Sequence, residues 1–80
     1  MSAARTRVYR DLLCVWKDGR LIVWCPAAPS ETGKKLGPSY ELKGDDYDRI
    51  LAMEAFGASD DDIHAALQDI IVQQGYVPWN

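Results

Sequence analysis

The side chains here with the most chemistry in them are carboxylates. Glu41, Asp45, Asp46 and Asp48 form one group, and Asp60, Asp61 and Asp62 form a second. Carboxylates this close together hold calcium when spaced D-x-[DN]-x-[DN]-G with a distal Glu, and neither group follows that spacing. Both aspartate groups stand where helices are expected to begin. There they load the positive end of a helix dipole. Capping and dipole account for one or two acids per helix, so three at each start leave charge over. A surface of that kind can occupy a groove built of lysine and arginine for phosphates, which is backbone recognition run in reverse. These seven acids are the candidate partner-binding residues.

Other reactive types lack partners in the sequence. His64 is the sole histidine, on a helix flank near Asp60 and Gln68, and no nucleophile is paired with it. Cys14 and Cys25 have no base beside them and, with one distant histidine, do not make a zinc site. Gly33-Lys34-Lys35 falls short of a phosphate loop, which needs Gly-Lys-Ser/Thr and an earlier glycine where this chain has Ala28. No catalytic, metal or cofactor motif emerges, and the expected mode of action is binding without chemistry.

Eighty residues make one domain and bury only about 60% of the unfolded chain's surface, so a partner or a second copy would add stability. Nearly half the residues (48%) are apolar, which argues against general disorder. The net charge of −3 hides a polarity. Residues 1–40 carry seven bases against three acids, whereas residues 41–80 carry two against nine. Such a chain is expected to meet a partner of definite sign or to pair with itself. The apolar runs 12–16 and 21–25 are too short to span a bilayer, and residues 1–10 lack the apolar segment of a secretory signal. The cytoplasm is the expected compartment.

The acids must be positioned by the elements around them, and the clearest of these is a helix from Ser59 to Gly75. Ile63, Ala66, Leu67, Ile70, Ile71 and Gln74 recur at the spacing of one helical face. Ser59 can cap it, with Asp62 in capping-box position, and Gly75 can end it. Ahead of it, Asp45 or Asp46 caps a helix running to about Phe56, with Tyr47, Ile50 and Leu51 inward. Met53 and Phe56 lie off that stripe, so this helix is contacted on a second side or leaves an apolar patch.

Upstream, residues 1–6 read as an arm and 26–38 as a loop. Val8 to Trp16 and Leu21 to Cys25 are rich in strand formers, and Asp18-Gly19 between them is a hairpin signal. A two-residue turn pairs Trp16 with Leu21, Cys14 with Val23 and Leu12 with Cys25, leaving Leu13, Val15, Ile22 and Trp24 on the other face. A three-residue turn would shift the register by one. In the first register the cysteines sit diagonally, about 7–8 Å apart and too far for a relaxed disulfide, so reduced, buried thiols are expected. Either register leaves both faces apolar. Two helices cover one face; the other needs the long loop, the tail from Tyr76 to Asn80, a second copy or another protein. Ser39 to Lys43 reads as a short third strand. The expected fold is α+β, a hairpin and short third strand on two C-terminal helices.

The rhythm of residues 50–67, with a turn at Gly57-Ala58-Ser59, is that of a helix-turn-helix. A DNA reader, however, places the start of its second helix among phosphates, and here that start is Asp60-Asp61-Asp62. Direct DNA binding is therefore not expected. Two family resemblances bear on function. Strands followed by Tyr40-Glu41-Leu42-Lys43-Gly44, a helix, and Ala66 to Val77 ending in Gln74-Gly75-Tyr76-Val77 resemble the PqqD-type peptide-recognition domains. These have three helices where this chain has room for two. That resemblance implies capture of an extended peptide as an added strand at the hairpin edge. As a short, acidic, motif-free domain of two helices on a small sheet, the chain is also similar in kind to the small anti-CRISPR proteins of phages and mobile elements. That likeness implies a non-catalytic inhibitor whose acids, Asp45, Asp46, Asp48, Asp60, Asp61 and Asp62, meet bases meant for DNA in a bacterial defence complex.

Overall fold

The computed structural model describes residues 4–27 and 36–77. Four strands, β1 (Arg5–Tyr9), β2 (Leu12–Lys17), β3 (Arg20–Pro26) and β4 (Leu36–Leu42), are followed by α1 (Asp45–Ala55) and α2 (Asp60–Gln73). The strands form one antiparallel sheet in the order β1-β2-β3-β4. The architecture is α+β, as the periodicities predict.

The central hairpin adopts the two-residue turn. Asp18 and Gly19 both take positive φ (53° and 74°), and Trp16 faces Leu21 while Cys14 faces Val23. Two turn residues of that hand match the twist of the flanking strands. One expected strand is in fact two. The run from Val8 to Trp16 is broken at Arg10-Asp11, where Arg10 enters the left-handed region (φ 59°) and the chain folds back with Tyr9 opposite Leu12. Asp11 suits a turn, but a left-handed arginine before it costs about 1–2 kcal/mol. Tertiary contacts hold it: Arg10 lies 3.7 Å from Asp61 and Asp11 lies 2.9 Å from His64, both on α2. Arg5 and Thr6 are accordingly strand residues, not part of an arm. At the other edge β4 begins at Leu36, so Leu36, Gly37 and Pro38 belong to a strand of seven residues rather than to the loop. Pro38 is tolerated there because the ladder is irregular at that point: Trp24 faces Ser39 but Pro26 faces Leu36, so β4 carries one extra residue and Pro38 falls in the bulge. The rest of that loop, residues 28–35, and the arm residues 1–3 lie outside the described residues, as does Trp79.

Alternation along the strands sorts the side chains onto two faces. Leu12, Cys14, Trp16, Leu21, Val23, Cys25 and Leu42 point inward and are buried with Tyr9. The stripe Ile63, Ala66, Leu67, Ile70 and Ile71 of α2 closes over them, joined by Ile50 of α1. Ser59 Oγ accepts the Asp62 N–H at 3.1 Å. The start of α1 differs from expectation: Gly44 is its N-cap, without a side-chain cap, and Asp45 and Asp46 are first-turn residues. Both helices end in paired bonds of the Schellman type, Ala58 N–H to Met53 O with Gly57 N–H to Glu54 O, and Tyr76 N–H to Ile71 O with Gly75 N–H to Val72 O. That cap turns Tyr76 inward, edge-on to Tyr40 with ring centroids 5.7 Å apart. Met53 packs partly against the core, and Phe56 is left 89% exposed.

The helices cross the sheet in opposite senses. Chain continuity starts α1 beside the end of β4; its Glu54 reaches Arg5 of β1, Asp60 of α2 reaches Arg7, and Gln74 returns to the Glu41 carbonyl of β4. Leu67 is fully buried at the centre of this layer. Leu67→Ala is expected to lower unfolding free energy by about 2–5 kcal/mol. The exposed Val72→Ala should change it by no more than about 0.5 kcal/mol, both read from urea transitions.

Candidate interaction surfaces

The opposite helix senses put the two aspartate groups at opposite edges of the sheet, and their surroundings differ. At the α2 start, Asp60 lies 3.2 Å from Arg7 and Asp61 lies 3.7 Å from Arg10. Glu41, on β4, lies 3.6 Å from Arg20. Three of the seven candidate acids thus already face the protein's own arginines. These pairs are exposed and each is worth only about 0–1 kcal/mol, but they reduce the charge on offer. Among the described residues Asp45, Asp46, Asp48 and Asp62 pair with no base, and all four are exposed.

The acid most deeply engaged is Glu54, which residue spacing alone did not single out. Arg5 donates to its carboxylate from both guanidinium nitrogens (2.9 and 3.4 Å), and the Tyr9 hydroxyl donates at 2.6 Å. Arg5 also lies 4.0 Å over the Trp16 ring, and Arg7 lies 5.0 Å over Tyr9. The alternation Arg5-Thr6-Arg7-Val8-Tyr9 carries the signal for this. Its odd members line the helix-covered face, so the arginines' stems cover aromatic rings while their heads reach acids on the helices. The indole N–H of Trp16 is buried with no acceptor.

Burial alone would push the Glu54 carboxyl up, yet hydrogen bonds from Arg5 and Tyr9 and the charges of Arg5 and Arg7 outweigh it and hold the group below its ordinary value. The same contact raises the Tyr9 phenol, burial first and Glu54 second. Burial pushes the Cys14 thiol up to about 12, with help from Glu54, and Cys25 up to about 11, with help from Asp11. Both cysteines are free, buried and protonated at neutral pH. The His64 ring nitrogen Nε2 is occupied by Asp11 at 2.9 Å. Among the described residues no cluster of His, Cys, Asp and Glu could hold a metal ion, and no helix is long and apolar enough to cross a membrane.

Two further surfaces stand out. The sheet's outward face carries Val8, Leu13, Val15, Ile22 and Trp24, none packed against the core, with Val8 57% exposed. The hairpin's own edges are both occupied, β2 by β1 and β3 by β4, so strand addition at the hairpin edge has no room. Among the described residues, the outer sides of β1 and β4 pair with no further strand. In an antiparallel ladder closed by a two-residue turn, hydrogen-bonded pairs alternate outward from Lys17 and Arg20, which sets Ser39 and Glu41 with their backbone groups facing away from β3. Gln74 Nε2 donates to the Glu41 carbonyl there at 3.1 Å, which caps that one acceptor.

No family model, curated protein or solved structure matches the chain.

A group whose folded pKa is depressed stabilises the fold above its unfolded value, about 4.3 for Glu, and loses that contribution as pH falls through the folded value. Urea midpoints measured from pH 7 down to about pH 3 should therefore drop less for Glu54→Gln than for the unaltered chain. A thiol reagent at about pH 8 should leave the folded protein unmodified and label both cysteines once it is unfolded.

Proposed function

We propose that the chain is a non-catalytic protein-binding inhibitor of the anti-CRISPR kind, docking an acidic surface on a bacterial complex that handles nucleic acid. The observation that carries this reading is the uncompensated trio Asp45, Asp46 and Asp48, three exposed carboxylates on the first turn of α1 with no base paired to them among the described residues. The α1 dipole favours their presence but leaves their charge unneutralised and projecting from the β4 side of the molecule. Asp62 adds to the surface at the other edge. Asp60, Asp61 and Glu41 contribute less than their number implies, because Arg7, Arg10 and Arg20 share their charge. Two buried, protonated thiols support binding over thiol chemistry.

The outer edge of β4 favours a second reading, a peptide-binding adaptor. The outward backbone groups of Ser39 and the Glu41 N–H could take an extended segment as a fifth strand. Salt separates the two. Acid-to-base docking weakens steeply once the screening length falls to a few ångströms, whereas strand addition does not.

The test is a pull-down from bacterial lysate with the tagged chain and with Asp45→Lys/Asp46→Lys/Asp48→Lys. These exposed changes should leave thermal unfolding nearly intact. The unaltered chain is expected to retain a nucleic-acid-binding protein at about 0.1 M salt and release it near 1 M, where screening acts over about 3 Å. The triple variant should retain none of it. Equal capture by both chains, or capture indifferent to salt, would rule the acidic-surface reading out.

A further inference from the structure

We infer that the outward sheet face is a self-association surface, on which two copies of this chain meet face to face about a two-fold axis running along β2. The inference is independent of the acidic trio and concerns the opposite layer of the molecule. The strand register places Val8, Leu13 and Trp24 in one row across β1, β2 and β3, and Thr6, Val15 and Ile22 in the next. The apolar stripe is therefore centred on β2, and it gives way to Ser39 and Glu41 on β4. Rotation about an axis along β2 lays β1 of one copy over β3 of the other. Leu13 then meets Leu13, Val15 meets Val15, and Val8 meets Trp24. Val8 is the most exposed member of the stripe, at 57%. A small side chain opposite the largest is the pairing that lets two sheets interdigitate at their usual spacing of about 10 Å.

Charge permits the same match. On this face Arg20 and Glu41 lie 3.6 Å apart and neutralise one another. Lys17 is the other charged side chain that the described strands place on this face, and it is exposed at the rim, where two long chains can splay apart. The acids that would repel a second copy are on the helices, behind the sheet. Area sets the strength. Two interstrand spacings of about 4.8 Å and two side-chain rows, with their margins, cover roughly 250–400 Å² per copy. The total is below the ~1,200 Å² of stable complexes, so the dimer is weak and concentration-dependent.

Sedimentation velocity on the full chain tests this. The apparent mass is expected to climb from one copy toward two between about 0.01 and 1 mM. Val15→Asp, on the axis, and Val8→Asp, at the more exposed position, should each hold the mass at one copy with an unchanged circular dichroism spectrum. A short bis-maleimide should link Val8→Cys to Trp24→Cys in a mixture far more efficiently than it links Val8→Cys to itself, the native thiols being buried. Three results would overturn the inference: one copy throughout the range, a dimer that survives Val15→Asp and Val8→Asp, or preferential linking of Val8→Cys to itself. A chain that stays monomeric, and that loses capture of a foreign protein on Trp24→Asp, would likewise assign the face to another partner.

Discussion

Two helices can cover one face of a four-stranded sheet, and the rest of the molecule follows from that limit. Leu12, Cys14, Leu21, Val23, Cys25 and Leu42 are sealed by the five-residue stripe of α2 and by Ile50. This burial supplies the interior, and everything else is arranged at its margins. Each helix crosses from one sheet edge to the other, so each helix end comes to rest beside an edge strand. That is why side-chain contacts between the layers gather at β1 and β4: Glu54 and Asp60 on one side, and Gln74 on the other.

The edge at β1 is closed by charge where the centre is closed by packing. Arg5 and Arg7 occupy inward positions where the sheet outgrows its helices, with their stems over Trp16 and Tyr9 and their guanidinium groups on acids. The polarity between the basic first half and the acidic second half is thus partly satisfied within the molecule, chiefly strand against helix. Among the described residues the first turn of α1, which chain continuity places beside β4 and away from those arginines, keeps all three of its aspartates unpaired, whereas the first turn of α2 keeps only Asp62.

Where local chemistry decided the outcome, the sequence was legible. The face of α2 holds all five of its expected apolar members, and Ser59 caps it as its position predicts. Asp18-Gly19 turns the hairpin in the two-residue register, which also puts both cysteines on the inward face. Legibility failed where distant contacts decided. The Arg10-Asp11 turn has no glycine or asparagine to announce it and is held by Asp61 and His64, more than fifty residues away. Without that turn β1 could not be seen as a strand, and its arginines looked like parts of a solvated arm. The same blindness made Asp60 and Asp61 look free and hid Glu54, a lone acid mid-helix whose importance comes from Arg5 and Tyr9 rather than from neighbouring acids.

The fastening of β1 has a mechanical corollary. Its inward side chains are two cations and the fully buried Tyr9, so peeling it away would break the ladder to β2 and two ion pairs and would pull a ring out of the interior. Such an opening would bare the backbone of β2 along its whole length, a strand flanked by leucine, valine and tryptophan. The molecule therefore carries a latent adhesive seam, kept shut by the β1–β2 ladder and by Tyr9 seated in the interior, to which the exposed ion pairs add little.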